Sequence, residues 1–308
     1  MSDDIPVCRL CGSSYVQDMG VIPDSDYFAG NVLGQRIRGG RLWSCVSCRS
    51  MFRHPVLSPS EYLTLYESGK STQWTSGDHR RDLQIVRSII AAESRIDTIL
   101  DIGCGTGDFL VSLPKSLVKF GIEPSAAASV DAALRGIEIV SQTIEHLSVE
   151  AKFDAITIID VIEHTSDPGS LLSDAYAHTL PGGLIIVSTG DPENPIWRRL
   201  LMSRFWYASF PEHLSFPSVG FFRMWSARNN ALTEAKIATR YQRLPQWQAI
   251  LSLLIQAAYC ASPLTFSWVG RLGERFRRLP GARRQCFSPG VPGLFVDHHV
   301  ITIRKPQQ

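Results

Sequence analysis

The stretch ILDIGCGTGDFL, Ile99 to Leu110, decides the fold. Its apolar start reads as a buried strand that ends near Asp101 and runs into a glycine turn opening a helix. Such a turn at the carboxyl end of a parallel strand holds a nucleotide-like cofactor, since glycines let the ligand approach the backbone. A nicotinamide dinucleotide fingerprint needs G-x-G-x-x-G. Here the glycines are Gly103, Gly105 and Gly107, and Asp108 stands at the third dinucleotide position, so a dinucleotide is disfavoured. Glu123 lies 20 residues beyond Gly103 and closes the next strand. Its carboxylate can accept both hydroxyls of a ribose.

Working outward, the pattern alternates between helix and strand from about Asp82. Leu83 to Ala92 reads as helix, and Thr98 to Ile102, Val118 to Ile122 and Ile137 to Val140 as the first three strands. Phe153 to Asp160 is the fourth, apolar on both faces as central parallel strands are. A helix over Asp167 to Thr179 is entered through Pro168 at its first turn. Pro181-Gly182-Gly183 then turns into a fifth strand, Leu184 to Ser188. Strands with helices between them predict an α/β chain with a doubly wound, mostly parallel sheet. Thr233 to Arg240 and His298 to Arg304 are the expected sixth and seventh strands.

The 308 residues are 44% hydrophobic with a net charge of +2, enough for a large core and without a global pull toward nucleic acid or membrane. The start of the sequence shows no signal-peptide pattern, and no apolar stretch reaches the roughly 18–20 residues of a spanning helix. A cytoplasmic protein is expected, where cysteines are free, catalytic or metal-bound.

Four cysteines form two pairs, Cys8-x-x-Cys11 and Cys45-x-x-Cys48. Each CxxC turn aims two thiolates at one metal, and two such knuckles complete a closed structural zinc site. The 33 residues between the pairs call for a long hairpin or small subdomain. The expected organisation is a zinc-binding unit over 1–54, a linker over 55–80 and a seven-stranded domain over 81–308. That domain carries a helical apolar and basic insert at 244–294.

With LDIGCGTG, the acid at Glu123, FDAITIIDVIEH and LPGGLIIVST in place, the chain resembles the class I S-adenosylmethionine-dependent methyltransferases over about residues 75–240 and 295–305. The resemblance implies a Rossmann-like seven-stranded sheet and S-adenosylmethionine as cofactor. Asp101, Gly103, Gly105 and Gly107 would line its methionine end, Glu123 would hold the ribose, Ile144 within Gln142 to Glu145 would cover the adenine, and Ile159 and Asp160 would edge the sulfonium. A sulfonium is already a strong methyl donor, so positioning and a base suffice.

Two acid-histidine pairs follow strands, Glu163-His164 and Glu212-His213, making His164, His213 and Glu212 the candidate catalytic residues. Ubiquinone-type O-methyltransferases are similar around Asp160, Glu163 and His164, where the resemblance implies a divalent metal, magnesium. Sugar methyltransferases that make branched deoxysugars are similar in their four-cysteine unit and in Glu212-His213. Phe216-Pro217 replaces their Tyr-Phe, and their large C-terminal domain has no counterpart here. A sugar-containing or lipid-linked small molecule methylated on oxygen is the favoured acceptor. C-methylation of a deoxysugar nucleotide, ribosomal-RNA methylation and a non-catalytic partner subunit stay open. Nucleic acid is disfavoured because residues 1–50 carry five Arg and no Lys against five Asp.

Between the last two strands, Trp247 to Cys260 reads as a helix with a narrow polar stripe of Gln248, Ser252 and Gln256. Arg271, Arg275, Arg277, Arg278, Arg283 and Arg284 follow, against Glu274. That pairing suits peripheral contact through 247–284 with an anionic membrane surface, at the inner face of the membrane.

Overall fold

The computed structural model describes residues 5–28, 31–67, 80–242, 245–263, 265 and 295–307. The N-terminal part holds β1 (Val16–Val21), β2 (Ser25–Phe28), β3 (Asn31–Ile37), β4 (Arg41–Cys45), β5 (Met51–His54) and α1 (Pro59–Glu67). β2 and β3 form a hairpin, and β1, β4 and β5 pair antiparallel. β1 to β4 fill the long interval between the two cysteine pairs, and β5 and α1 follow the second pair.

The main sheet is built from β6 (Thr98–Ile102), β7 (Val118–Ile122), β8 (Glu138–Ser141), β9 (Phe153–Ile159), β10 (Thr179–Gly190), β12 (Leu232–Thr239) and β13 (His298–Arg304), in the order β12-β13-β10-β9-β6-β7-β8. Pairings among β6 to β10 are parallel, whereas β13 runs antiparallel to both β10 and β12. This is the α/β methyltransferase fold. Strand order reverses between β6 and β9, where a doubly wound sheet opens a ligand crevice at its carboxyl ends.

The helices pack by their apolar faces. α2 (Arg81–Ala92) buries Leu83, Val86 and Ile90, spaced to fall on one side of a helix. α3 (Asp108–Val111) leaves the glycine turn, and α4 (Ala126–Leu134) is capped by Ser125, whose side chain accepts from Ala128 N–H. α5 (Pro168–Ala177) is capped by Asp167 and starts on Pro168, the form of entry its sequence predicts. α6 (Trp206–Ser209), α7 (Val219–Arg228) and α8 (Gln246–Ala261) complete the helices used below.

Four strands differ from expectation, β8 and β12 by a shift of one residue and the fourth and fifth for local reasons. The fourth stops at Ile159 because Asp160 adopts φ +52°, a left-handed conformation that ends the extended run. The fifth is longer at both ends than Leu184 to Ser188. Its pairing with β9 breaks between Thr179 and Leu184, where Pro181 has no amide to donate, and its far end through Gly190 is held by β13.

A two-residue strand, β11 (Ser215–Phe216), leaves the main domain and pairs with Met51 and Phe52 of β5. The N-terminal sheet thus takes its fourth strand from the segment that carries Glu212 and His213. Arg53, fully buried, reinforces that junction by donating to the carbonyls of Ala208, Phe210 and Gly39 at 2.8, 2.8 and 3.0 Å.

Candidate functional site

The glycine turn follows β6 directly. Gly103, Gly105 and Gly107 take φ of +75°, +55° and +79°. At Gly103 a Cβ would lie 2.5 Å from Val161 Cγ2, whereas at Gly105 it would project into open space, on ground a ligand can occupy. Gly103 and Cys104 N–H both donate to Ile122 O, fixing the turn against β7. One oxygen of Glu123 accepts from Gly105 N–H and the other from Ser125 N–H, each at 2.8 Å. Burial pushes the Glu123 carboxyl above its ordinary range, and those two amides work against that rise. A carboxylate has lone pairs to spare after two such bonds, so the residues fit a vicinal diol.

The other expected cofactor residues separate into two groups. Ile144 is buried on a short 3-10 turn, Ile144–His146, and Ile159 is half-buried at the end of β9. Asp101 does not reach the surface of the turn. It is buried beneath it and accepts from Thr157 Oγ1 at 2.7 Å. Burial, followed by the nearby Glu123 charge, pushes its carboxyl up to about 7. Asp160 is turned toward Arg80, 2.6 Å away, which also grips Asp82 and stacks on the Tyr241 ring.

The expected acceptor side assembles residues far apart in sequence. Glu163 is fully buried, accepting from Tyr207 Oη and from Thr189 Oγ1. His164 and His213 meet edge to face with ring centroids 4.8 Å apart. His213 Nδ1 lies 2.7 Å from Tyr207 O and His164 Nδ1 lies 3.1 Å from Glu212 O. A carbonyl accepts, so both Nδ1 atoms carry the proton and Nε2 is the basic nitrogen of each ring. Burial lowers both histidines' pKa values, His213 the further. Both imidazoles are therefore neutral at pH 7, the form that accepts a proton.

Ligand atoms of Glu163, His164 and His213 lie within 4.8 Å of one another, so the structure substitutes His213 for Asp160 in the expected trio. One carboxylate with two imidazoles does not suit magnesium, which takes oxygen ligands and keeps several waters. No catalytic step is assigned to magnesium.

The four N-terminal thiols converge. Cys8 and Cys48 Sγ are 3.8 Å apart, Cys11 and Cys45 Sγ 3.6 Å, and all four sulfurs lie within 4.8 Å of one another. Zinc–sulfur bonds of about 2.3 Å place tetrahedral sulfurs about 3.8 Å apart. The donor set and spacing fit that ion. Gly12 closes the first knuckle at φ +76°.

Sequence reasoning missed Arg80, Tyr207 and His298. His298 Nδ1 lies 3.2 Å from Asp297, and its Nε2 lies 3.9 Å from Asp160. No local pattern marks them. Each stands next to the site only because the chain folds back over β9 and β10.

A model of the methyltransferase-domain family matches residues 78–232, half of the chain. The chain belongs to this family. Ubiquinone biosynthesis O-methyltransferase of Rhodopseudomonas palustris is 33% identical over 98 residues, 30% of this chain and 39% of that protein. Its counterpart from Colwellia psychrerythraea is 35% identical over 100 residues, 30% of this chain and 41% of that protein. The chain thus spans about four tenths of the length of these relatives. Among solved structures, the N-methyltransferase NodS of Bradyrhizobium japonicum in complex with S-adenosyl-L-homocysteine is similar, with a TM-score of 0.47 and 13% identity. The match covers 80% of this chain and 98% of that one.

Proposed function

We propose that the chain transfers the methyl group of S-adenosylmethionine to a hydroxyl of a small, sugar-containing or lipid-linked acceptor. The observation that carries the cofactor reading is Glu123, held by two backbone amides beside a left-handed glycine turn at the switch point of the sheet. When bound, the cofactor supplies an electrophilic methyl group. The residues supply the rest. The turn and Glu123 fix the ribose and the methionine end, and Val161 packs against Gly103 from the acceptor side. His213 Nε2, in a neutral ring oriented by Tyr207 O, takes the hydroxyl proton, and His164 is the neighbouring ring able to serve in the same way. Glu212 holds His164 through its backbone carbonyl, and its side chain is assigned no step.

The four thiolates are proposed to hold one structural zinc. With four protein ligands the metal has no open position, so it shapes the fold rather than the reaction.

Glu123→Ala tests the cofactor reading. Two charge-assisted hydrogen bonds of roughly 1.5–3 kcal/mol each disappear, so cofactor affinity should fall on the order of 100-fold or more with the fold intact. Calorimetric affinity within about threefold of wild type sinks the assignment. Turnover with labelled cofactor, read by mass spectrometry of candidate acceptors, tests the acceptor class.

A further inference from the structure

Helix α8 is mounted with Gln256 inward. Gln256, 4% exposed, faces the domain and donates through its side-chain amide to Arg204 O at 2.9 Å. Tyr259, one turn on, is also buried, and the Arg204 guanidinium donates to Cys260 O at 2.7 Å. Trp247, Ile250, Leu251 and Leu254, at i, i+3, i+4 and i+7, form one face that is 65, 63, 47 and 62% exposed. Helices of globular proteins turn that face to the core. Here the bonds through Gln256 and Arg204 fix the rotation and keep the apolar face outside.

What lies beside this face is apolar too. Leu253 and Ala257 of α8, with Met19, Leu201, Met202 and Phe295, line an open cavity of about 770 Å³, and Arg41 and Arg204 stand on its wall. The sequence beyond α8 is cationic, with six arginines between Arg271 and Arg284 against Glu274. Those seven residues lie outside the described ones, tethered to the helix end by ten residues or more. At 16 residues α8 suits the plane of an interface, and among the described residues no helix is long and apolar enough to cross a membrane. An apolar helix face followed in sequence by a cationic run is the chemistry of an anionic lipid surface. A second copy of the chain is the other occupant, and the test below returns it as a distinct outcome.

We propose that α8 lies in the surface of an anionic lipid bilayer with Trp247, Ile250, Leu251 and Leu254 immersed. The proposal goes beyond the methyl-transfer reading and does not rest on it.

The test uses the full chain and vesicles of equal phosphatidylglycerol and phosphatidylcholine, against phosphatidylcholine alone. Partition onto the anionic vesicles should be roughly tenfold or more the greater at low salt, and should fall as salt rises. Leu251→Asp with Leu254→Asp should cut partition roughly 20-fold or more while the melting temperature holds. Absence of binding to anionic vesicles at low salt overturns the proposal. So does a collapsed melting temperature in the Asp variant without vesicle binding, which places the face against the chain's own residues. Self-association abolished by the same variant, again without vesicle binding, makes the occupant a second copy and overturns it as well. Should the double variant not fold, Trp247→Ser reads the same face. A roughly fivefold loss of partition supports the proposal, and an unchanged partition overturns it. Cofactor titration of the same samples separates a failure here from a failure of the methyltransferase reading.

Discussion

The cofactor side and the acceptor side of the crevice are built on different plans. The cofactor side is local. Asp101 to Gly107 and Glu123 to Ser125 come from two successive strands, and backbone amides do the joining. The acceptor side draws Glu163 and His164 from behind β9, Thr189 from β10, and Tyr207 and His213 from the segment between β10 and β11. That segment is clamped in turn by the N-terminal sheet through β11, Arg53 and Ser218. The difference teaches that the cofactor side can form on the parallel sheet alone, while the acceptor side needs a second unit, gathered round four clustered thiols, to hold its histidine.

The largest expected effect breaks that comparison at the proposed zinc site. Apparent zinc-binding free energies reach about 10–16 kcal/mol in small zinc domains and are coupled to folding. Cys45→Ser should reduce zinc from one per chain to none and remove hydrogen-exchange protection from β1, β4 and β5, while the cofactor dissociation constant stays within about threefold. Turnover should fall far more, since β5 carries β11. Elemental analysis finding no zinc in freshly purified wild-type protein refutes the site. An equal loss of cofactor affinity would instead show that the two sides fold as one.

Asp101 sharpens the comparison from the cofactor side. Its native carboxyl holds a proton up to about 7, against an ordinary value of 3.8. Between those values the unfolded chain has released the proton and the native chain keeps it, so this residue lowers stability as pH rises from about 4 to 7, with no further change above. Asp101→Asn removes that penalty and can still accept from Thr157. The variant should match wild type near pH 4 and exceed it by about 2–4 kcal/mol at pH 8. Parallel stability curves across that range would rule out a protonated Asp101.

How much could be read in advance follows the same division. The strands β6 and β7, the glycine turn, Glu123 and β13 were legible residue by residue, because each rests on contiguous apolar runs, short spacings or a turn that only glycine enters. The four thiols were legible because ligand chemistry constrains their spacing wherever the chain goes between them. The Arg80–Asp160 pair was not, since its residues are 80 positions apart and Asp160 looks the same in sequence whether it faces a cofactor or an arginine. Tyr207 sits in an aromatic run, Phe205 to Tyr207, that reads as core, and its hydroxyl on Glu163 is a consequence of folding. The polar stripe of α8 was visible, but the inward direction of Gln256 depends on Arg204, more than forty residues earlier.

The smallest expected effect probes the joint between the two plans. Ser218 caps α7, with its Oγ accepting from Phe221 N–H at 3.2 Å, and the same hydroxyl donates to Cys48 O in the second cysteine knuckle. Ser218→Ala removes both bonds at once, together with the one that Ser50 Oγ donates to this hydroxyl at 3.4 Å. Losing a cap costs about 1 kcal/mol, and the unpaired buried carbonyl of Cys48 adds a comparable amount. For a chain of this size that is a fall of a few degrees in melting temperature. Zinc content and cofactor affinity should not change, because neither the thiolates nor Glu123 touch this hydroxyl. Turnover should drop modestly, as β11 and the His213 segment lose one of their ties to the N-terminal sheet. If turnover and stability both match wild type, the knuckle does not steady the acceptor side, and Arg53 with the β5–β11 pairing must carry that role alone.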